Sequence, residues 1–342
     1  MFDLISIGDV TEDVFVEVDD AAKLKCNSHS HRCFLEFPFG TKLGIKHIFK
    51  LLGGNAGNVA IGSKRLGLNS ALYSEAGKDT QGELILASLK KEKVSIQYFK
   101  RKPNQKTNYS VVLYFHGERT ILVHHEPRTY NFPLLEKSSW IYLTSMAQGS
   151  QKIFKPLLTY LKKSKAQLAF NPGTYQLSLG LKALLPLFKQ TTVLFLNVEE
   201  AQTLLKSPER HLEKLLIKLH ISGPKVVVIT DGGNGSYCFD GKAFWYCPIY
   251  KVPALERTGC GDAYATGFIA ALKYQRNLAQ AMVWGSINST SVLQRIGPQA
   301  GLIRKQLLEK ITKASPNYKA RFFQGKEVIK DRVYYPKKYK HF

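Results

Sequence analysis

An α/β fold with a mostly parallel central sheet is what this sequence predicts, and three observations carry it. Between Trp140 and Ile229, short apolar runs alternate with segments of helical length, the pattern of a parallel sheet covered by helices on both faces. Polar residues suited to ligands, Asp13, Asn171, Asn197 and Thr230, fall where strands end, and open α/β sheets bind ligands along that edge. The stretch 107–123, broken at Gly117-Glu118, has the composition of a hairpin and joins the stretch 14–18 in a small separate sheet.

A chain of 342 residues buries a large core and suits one big domain, taken here as 1–315, with a basic, aromatic tail over 316–342. Apolar content of 44% and charged content of 22% exclude wholesale disorder. No apolar run approaches the length needed to span a bilayer, so no membrane partner is expected. Residues 2–9 read as a core strand and its turn, not as an export signal. Five cysteines form no dense framework and read as reduced thiols, which predicts a cytoplasmic location. Lys and Arg number 49 against 26 Asp and Glu, a formal net charge of +23. That field attracts phosphates. The lysines are scattered along the whole chain, however, which favours a solvated surface.

Taken in order, the first strand leads to Thr11-Glu12-Asp13-Val14-Phe15-Val16-Glu17-Val18, an alternating stretch that suits a half-exposed strand. Asp13 at the junction reads as a turn residue or as a carboxylate held at a strand end for a ligand. Cys26, His29, His31 and Cys33 crowd into one stretch, a candidate soft-metal site. Their spacing matches no zinc module, and a polar loop between strands is the plainer reading. Next, Gly53-Gly54-Asn55-Ala56-Gly57-Asn58 opens a helix with Val59, Ile61 and Leu66 on its apolar side and Gly67 as its C-cap. Two readings stay open there: a glycine-rich start to a tightly packed helix, or close approach of a small polar ligand to backbone amides beside Asn58. The spacing is neither a Rossmann fingerprint nor a Walker A loop. A strand over 70–74 and a turn over 77–82 lead into a helix ending near Lys91.

In the second half, a strand over 141–143 precedes a helix over 151–163, and a strand over 167–170 ends in Asn171-Pro172-Gly173. A helix over 179–189 leads to a strand over 192–196. Asn197-Val198-Glu199-Glu200 then opens another helix. The strand 226–229 is closed by the tight turn Thr230-Asp231-Gly232-Gly233-Asn234-Gly235, and antiparallel strands follow over 236–248. Helices are predicted over 260–274, 278–295 and 303–312. The tail mixes aromatics and cations, as in Tyr334-Tyr335-Pro336-Lys337-Lys338-Tyr339-Lys340, a composition able to stack on and neutralise nucleic acid. A peripheral segment lying on the domain surface is the reading preferred, with no nucleic-acid partner expected.

The most informative stretch is Glu256-Arg257-Thr258-Gly259-Cys260-Gly261-Asp262-Ala263-Tyr264-Ala265-Thr266-Gly267-Phe268. Small residues run straight into a helix, so backbone N–H groups and the positive end of the helix dipole meet at one spot. Asp262 reads equally as a first-turn acid stabilising that helix and as a general base beside an anion cradle.

In their order and separation, the Gly53–Asn58 and Thr258–Phe268 stretches resemble the two signatures of the ribokinase-like (PfkB) family of carbohydrate and nucleoside kinases. The similarity runs from Ile5 to about Gly301. It implies a three-layer ribokinase-like fold with a small β-sheet lid, whose strands lie within about 14–37 and 107–125. It also implies ATP-dependent phosphoryl transfer to a hydroxyl of a small sugar, with a nucleoside or a phosphorylated sugar as the other acceptor classes. On that pattern Asp262 deprotonates the acceptor, and the amides of Gly259, Cys260 and Gly261 hold the transferring group. Asp13, Gly53, Gly54, Asn58 and Asn171 take the acceptor. Asn197, Thr230, Gly232, Gly235, Arg257 and Asn288 serve the nucleotide, and Glu200, with Asn197, organises Mg²⁺ through water. Pairing of two copies through the lid sheet is also implied.

Two departures stand out. The family usually has Asp-Thr-Thr where this chain has Glu256-Arg257-Thr258, and that Asp contributes to a monovalent-cation (K⁺) site in many members. Glu256 keeps the charge on a longer side chain, while Arg257 points toward nucleotide phosphate or toward solvent. Cys260 replaces a common Ala and is expected to pack. Aromatic walls built from Phe15, Phe34, Phe37, Phe39 or Tyr109 would favour a nucleoside acceptor. A non-catalytic relative that binds nucleic acid through the tail is the reading from another functional class.

Overall fold

The computed structural model describes residues 1–18, 23–27, 32–115, 118–323 and 333–336. The predicted apolar runs become a ten-stranded central sheet. Its parallel strands lie in the spatial order Phe99–Lys102, Ser70–Gly77, Phe2–Ile7, Ser138–Leu143, Gln167–Phe170, Thr191–Asn197, Val226–Thr230. Three antiparallel strands, Ser236–Phe239, Phe244–Cys247 and Arg321–Phe322, extend one edge. Leu4, Ile5, Ile141, Leu168, Val193 and Val228 are fully buried. Covered on both faces, such strands need apolar side chains at every position, hence unbroken Val/Ile/Leu runs instead of alternation.

Each face of the sheet has its own core. On one side Leu157, Leu184, Leu204 and Leu216, from helices Phe154–Ser164, Gly180–Phe188, Val198–Leu205 and Leu212–Ile221, pack against Ile141, Phe170 and Val227. On the other, Phe268, Ile287 and Leu308 from helices Cys260–Lys273, Leu278–Val292 and Lys305–Ala314 meet Tyr142, Val193 and Val228. Two glycines let the first two of these helices cross closely. A Cβ at Gly267 would fall 2.5 Å from the Trp284 carbonyl oxygen, and one at Gly285 would fall 2.9 Å from that of Tyr264.

Strand register brings the carboxyl ends into line. Ile7 pairs with Leu143, Leu143 with Phe170, and Asn197 with Thr230. Above that edge lies a four-stranded sheet in the order Ile45–Gly53, Thr11–Val18, Asn108–Phe115, Glu118–His124. The expected strand over Thr11–Val18 is there, and it pairs with both neighbours, Asp13 opposite Leu51 on one side and Ser110 on the other. The Ile45–Gly53 strand is absent from the sequence-based expectation. Most of its residues are exposed, so its mixture of Lys, His and apolar side chains carries no inward-facing stripe.

A separate hairpin, Lys23–Asn27 with Arg32–Glu36, sets the backbones of Cys26 and Cys33 opposite each other. His29 and His31, the rest of the suspected metal cluster, lie outside the described residues. The start of the expected tail is integral to the core: Tyr318 and Phe323 are buried, while the exposed Phe322 ring lies tilted against Trp245, centroids 3.8 Å apart. Val333–Tyr334 pairs in parallel with Ile249–Tyr250. The basic residues Lys337, Lys338 and Lys340 lie outside the described residues. Among the described residues, no helix is long and apolar enough to cross a membrane.

Candidate active site

Under the small sheet, along the carboxyl edge of the large one, runs a cleft of about 800 Å³. Two helix starts meet in it. The first helix, Asn55–Arg65, is capped by Gly54 at φ +86°, where a Cβ would fall 2.5 Å from Val10 Cα. The second, Cys260–Lys273, is capped by Gly259 at φ +82°, where a Cβ would fall 2.5 Å from Pro298. Both positions need a residue that adopts positive φ freely and adds no side chain, which is why glycine stands at each.

Asp262 ends up between these helix starts, buried, with three side chains fixing it. Asn55 Nδ2 donates to Oδ1 at 3.0 Å and Asn58 Nδ2 donates to Oδ2 at 2.8 Å. Gln299 Nε2 donates to Asn58 Oδ1 at 3.0 Å, which fixes the Asn58 amide with its NH₂ toward Asp262. Burial raises the Asp262 pKa to about 6, against the pull of the two amides and with help from the Asp13 charge. A carboxylate poised near neutrality is basic enough to take a proton and is ionised enough at pH 7 to be ready.

Asp13 faces the same cleft. Thr11 Oγ1 donates to its Oδ1 at 2.7 Å, and burial raises its pKa while Thr11 and Ser110 oppose the rise. Gly53 serves this carboxylate from behind: a Cβ there would fall 1.9 Å from Asp13 Oδ2. Gly53 is thus a space-maker and does not line the cleft, whereas Gly54 and Asn58 do.

At the second helix start, Gly259 and Gly261 line the cleft, and no atom lies within 4 Å of a Cβ added at Gly261. That leaves the start of a 14-residue helix open to an anion. Cys260 does not line the cleft; its thiol is pushed up to about 12, chiefly by burial, which makes it a neutral packing group.

On the far side, Asn197 and Glu200 cap their helix reciprocally. Asn197 N–H donates to Glu200 Oε2 and Glu200 N–H donates to Asn197 Oδ1, both at 2.8 Å. Burial raises Glu200 to about 7, opposed by the Asn197 amide and assisted by the charges of Glu199 and Asp262. Its other oxygen makes no contact within that box, and a divalent cation would offset the cost of ionising it there. The donor set fits a Mg²⁺ held largely by water and phosphate oxygens. Asn171 also lines the cleft and donates to the Phe195 carbonyl at 2.9 Å.

Of the residues expected to serve a nucleotide, Thr230 and Arg257 line the cleft, but Gly232 and Gly235 do not. Gly235 is needed for the turn itself, at φ +93° with 2.4 Å between an added Cβ and the Cys247 carbonyl oxygen. Asn288 does not reach the cleft either. It is fully buried, and its Nδ2 donates to the Ala263 carbonyl at 2.8 Å, tying the two crossing helices together. Glu256 is buried beside the cleft, where its Oε1 accepts from Thr258 N at 2.7 Å and Thr258 Oγ1 at 2.6 Å.

Four cleft-related residues escaped the sequence reading: Asp9, Arg119, His125 and Gln299. Asp9 accepts from Tyr130 Oη at 3.0 Å and from Ala147 N at 2.9 Å, and His125 Nδ1 lies 3.2 Å from its Oδ2. Its place at the end of the first strand, the criterion that singled out Asp13, was the available signal. The others come from distant parts of the chain with no local motif.

Compared with known protein families, the chain matches the pfkB family carbohydrate kinases over residues 19–305. Among curated proteins, the ATP-dependent 6-phosphofructokinase of Thermoanaerobacterium thermosaccharolyticum is 21% identical over 315 residues, covering 86% of this chain and 89% of that protein. The nucleoside kinase of Methanocaldococcus jannaschii is 23% identical over 298 residues, covering 82% and 93%. Among solved structures, Arabidopsis thaliana ribokinase complexed with ribose and ATP superposes with a TM-score of 0.72 at 18% identity, covering 90% of this chain and 97% of that one.

Proposed function

From the premise that the chain belongs to the pfkB family of carbohydrate kinases, ATP-dependent enzymes acting on a hydroxyl, we propose that its acceptor is a small sugar and Asp262 the general base. The observation that carries the proposal is the pairing of Asp262, held by Asn55 and Asn58, with the bare helix start at Gly259–Gly261. On this reading the acceptor hydroxyl lies against Asp262, which takes its proton as the oxygen attacks the γ-phosphorus of ATP. The phosphoryl group crosses to the acceptor, ADP leaves, and the backbone N–H groups of 259–261 stabilise the charge on the equatorial oxygens. These donors are already aimed, so no reorganisation is needed at the moment of transfer. Glu200 and Asn197 would hold Mg²⁺ through water, and the ion when bound would neutralise phosphate charge.

A sugar is favoured by what lines the lid side of the cleft. From the strands of the small sheet, Thr11, Asp13, Ser110, Val112, Arg119, Ile121 and Val123 line the cleft and none is aromatic, while the His125 imidazole, just past the last of those strands, is engaged by Asp9. Phe15 is buried outside the cleft, Phe34, Phe37 and Phe39 are exposed, and neither these nor Tyr109 lines it. A purine would thus find no phenyl, phenol or indole ring on those strands to stack on, whereas Asp13 and Asn58 offer the hydrogen bonds that sugar hydroxyls need. Two copies are further proposed to associate through the upper sheet, where Ile45, Ile48 and Leu122 are exposed.

The test is ADP release measured over sugars, sugar phosphates and nucleosides with MgATP. A neutral sugar should turn over best, and Asp262→Asn should lower kcat by roughly 10²–10⁴-fold while MgADP affinity is kept. A nucleoside as best acceptor, or near-normal turnover in the variant, would overturn the respective part.

A further inference from the structure

Glu256 stands where the family resemblance implies a monovalent-cation site, and its surroundings do not suit one. The carboxylate is buried and turned toward the lid. Oε1 is taken by Thr258 N at 2.7 Å and Thr258 Oγ1 at 2.6 Å, and Arg119 Nε from the Glu118–His124 strand lies 3.7 Å from the same oxygen. The charge of Glu256 acts on Asp13 and on Tyr114, which places it in the seam between the phosphate turn and the lid. Glu12, also buried, acts on Asp13 as well. An unpaired buried charge is costly, so the buried Glu256 carboxylate calls for a compensating cation. Arg119 lies within ion-pair range of it.

We propose that Arg119 does the work of a monovalent metal ion in this kinase. A lid strand delivers a permanent positive charge to Glu256, and Glu256 in turn holds the backbone and hydroxyl of Thr258, the residue next to Gly259. Arg119 is therefore a positioning residue: it acts on the phosphate turn through Glu256. The guanidinium cannot lose its proton in a protein and is tethered, so no ion needs to be recruited from solution. The contact also has slack. Arg119 Nε and Glu256 Oε2 are both buried without a hydrogen-bond partner among the described residues. Charge-assisted N–H···O bonds settle near about 2.8 Å, so a small inward step of the lid would complete the pair. Closing over an acceptor would thus brace the phosphate turn.

The inference rests on the kinase reading of this cleft, and the experiment separates the two. The full chain is compared in KCl and in choline chloride at about 0.1 M, a strength that fixes screening in both. Melting temperature, MgADP affinity and turnover of the best acceptor are measured for the native chain, Arg119→Gln, Arg119→Lys, Glu256→Gln and Arg119→Gln/Glu256→Gln. The native chain should give the same melting temperature and the same affinity and kcat, within about twofold, in both salts. Arg119→Gln should lower kcat by about tenfold or more, with KM for ATP little changed and Arg119→Lys recovering most of the loss. The double variant should be no worse than the poorer single one, as coupled residues behave. K⁺ raising native turnover or stability, or losses that multiply in the double variant, would overturn the inference. The comparison of native protein in two salts needs no variant to fold. A chain that binds MgADP identically in both salts yet phosphorylates nothing would count against the acceptor reading and not against this one.

Discussion

At the scale of single residues, the proposed chemistry depends on how burial and neighbours set one carboxylate. Asp262 is raised by burial and lowered by Asn58 and Asn55, and the balance leaves it at about 6. As the proposed base, Asp262 takes the acceptor proton only in its ionised form. The expected kcat/KM profile therefore falls on the acid side through a limb near pH 6. Replacing Asn55 with Ala removes a hydrogen bond that favours the charge, so the limb should move to higher pH. A pH–rate profile of both proteins checks the sign: a downward shift in the variant would contradict the account. Sequence could offer Asp262 only as cap or base, because what distinguishes the two is a pair of amides some two hundred positions away. Gln299 and Arg119 were invisible for the same reason. Asn288 misled in the opposite direction, since its polar side chain satisfies a backbone carbonyl inside the helix layer.

At the scale of elements, glycine placement was the most legible information. The Gly53-Gly54 and Gly259-Cys260-Gly261 stretches announced two helix starts, and the reciprocal capping of Asn197 and Glu200 follows from residues three apart. The Ile45–Gly53 strand was not legible, since an exposed strand lacks the periodicity that betrays a half-buried one. Gly267 has a role that no motif shows, as the point where two helices touch backbone to backbone. Gly267→Ala should cost about 1–3 kcal/mol, because neither the Trp284 carbonyl nor the helix carrying it can give way cheaply. Gly233→Ala, at a position with nothing within 4 Å, should be close to neutral. Denaturant midpoints for the two variants measure the contrast, and equal midpoints would refute the packing argument.

Across the whole molecule, the fold class could be read from alternating strands and helices, and the lid in part: the hairpin near 107–123 and its junction with the 14–18 stretch were legible, the Ile45–Gly53 strand was not. The inner strand of the lid pairs antiparallel with one neighbour and parallel with the other, which joins segments 11–18, 45–53 and 108–115 into one surface. Long-range pairing of that kind leaves no mark in any single window of sequence. If two copies meet through this sheet, light scattering should give twice the chain mass at micromolar concentration, and Ile48→Glu with Leu122→Glu should return the protein to single chains. A native protein that is monomeric under those conditions would remove the dimer from consideration.

The pairing of strands far apart in the sequence has a consequence for what holds the rim of the cleft in place. Phe2–Ile7 sits mid-sheet, between Ser70–Gly77 and Ser138–Leu143. Val333–Tyr334 comes from the other end of the described residues. It closes against Ile249–Tyr250, and Lys251 N–H bonds the Tyr334 carbonyl at 2.9 Å just ahead of the segment that leads to Gly259. The segment that leads to Gly259 is thus anchored at its start by a strand that the chain reaches only after three further helices, Cys260–Lys273, Leu278–Val292 and Lys305–Ala314.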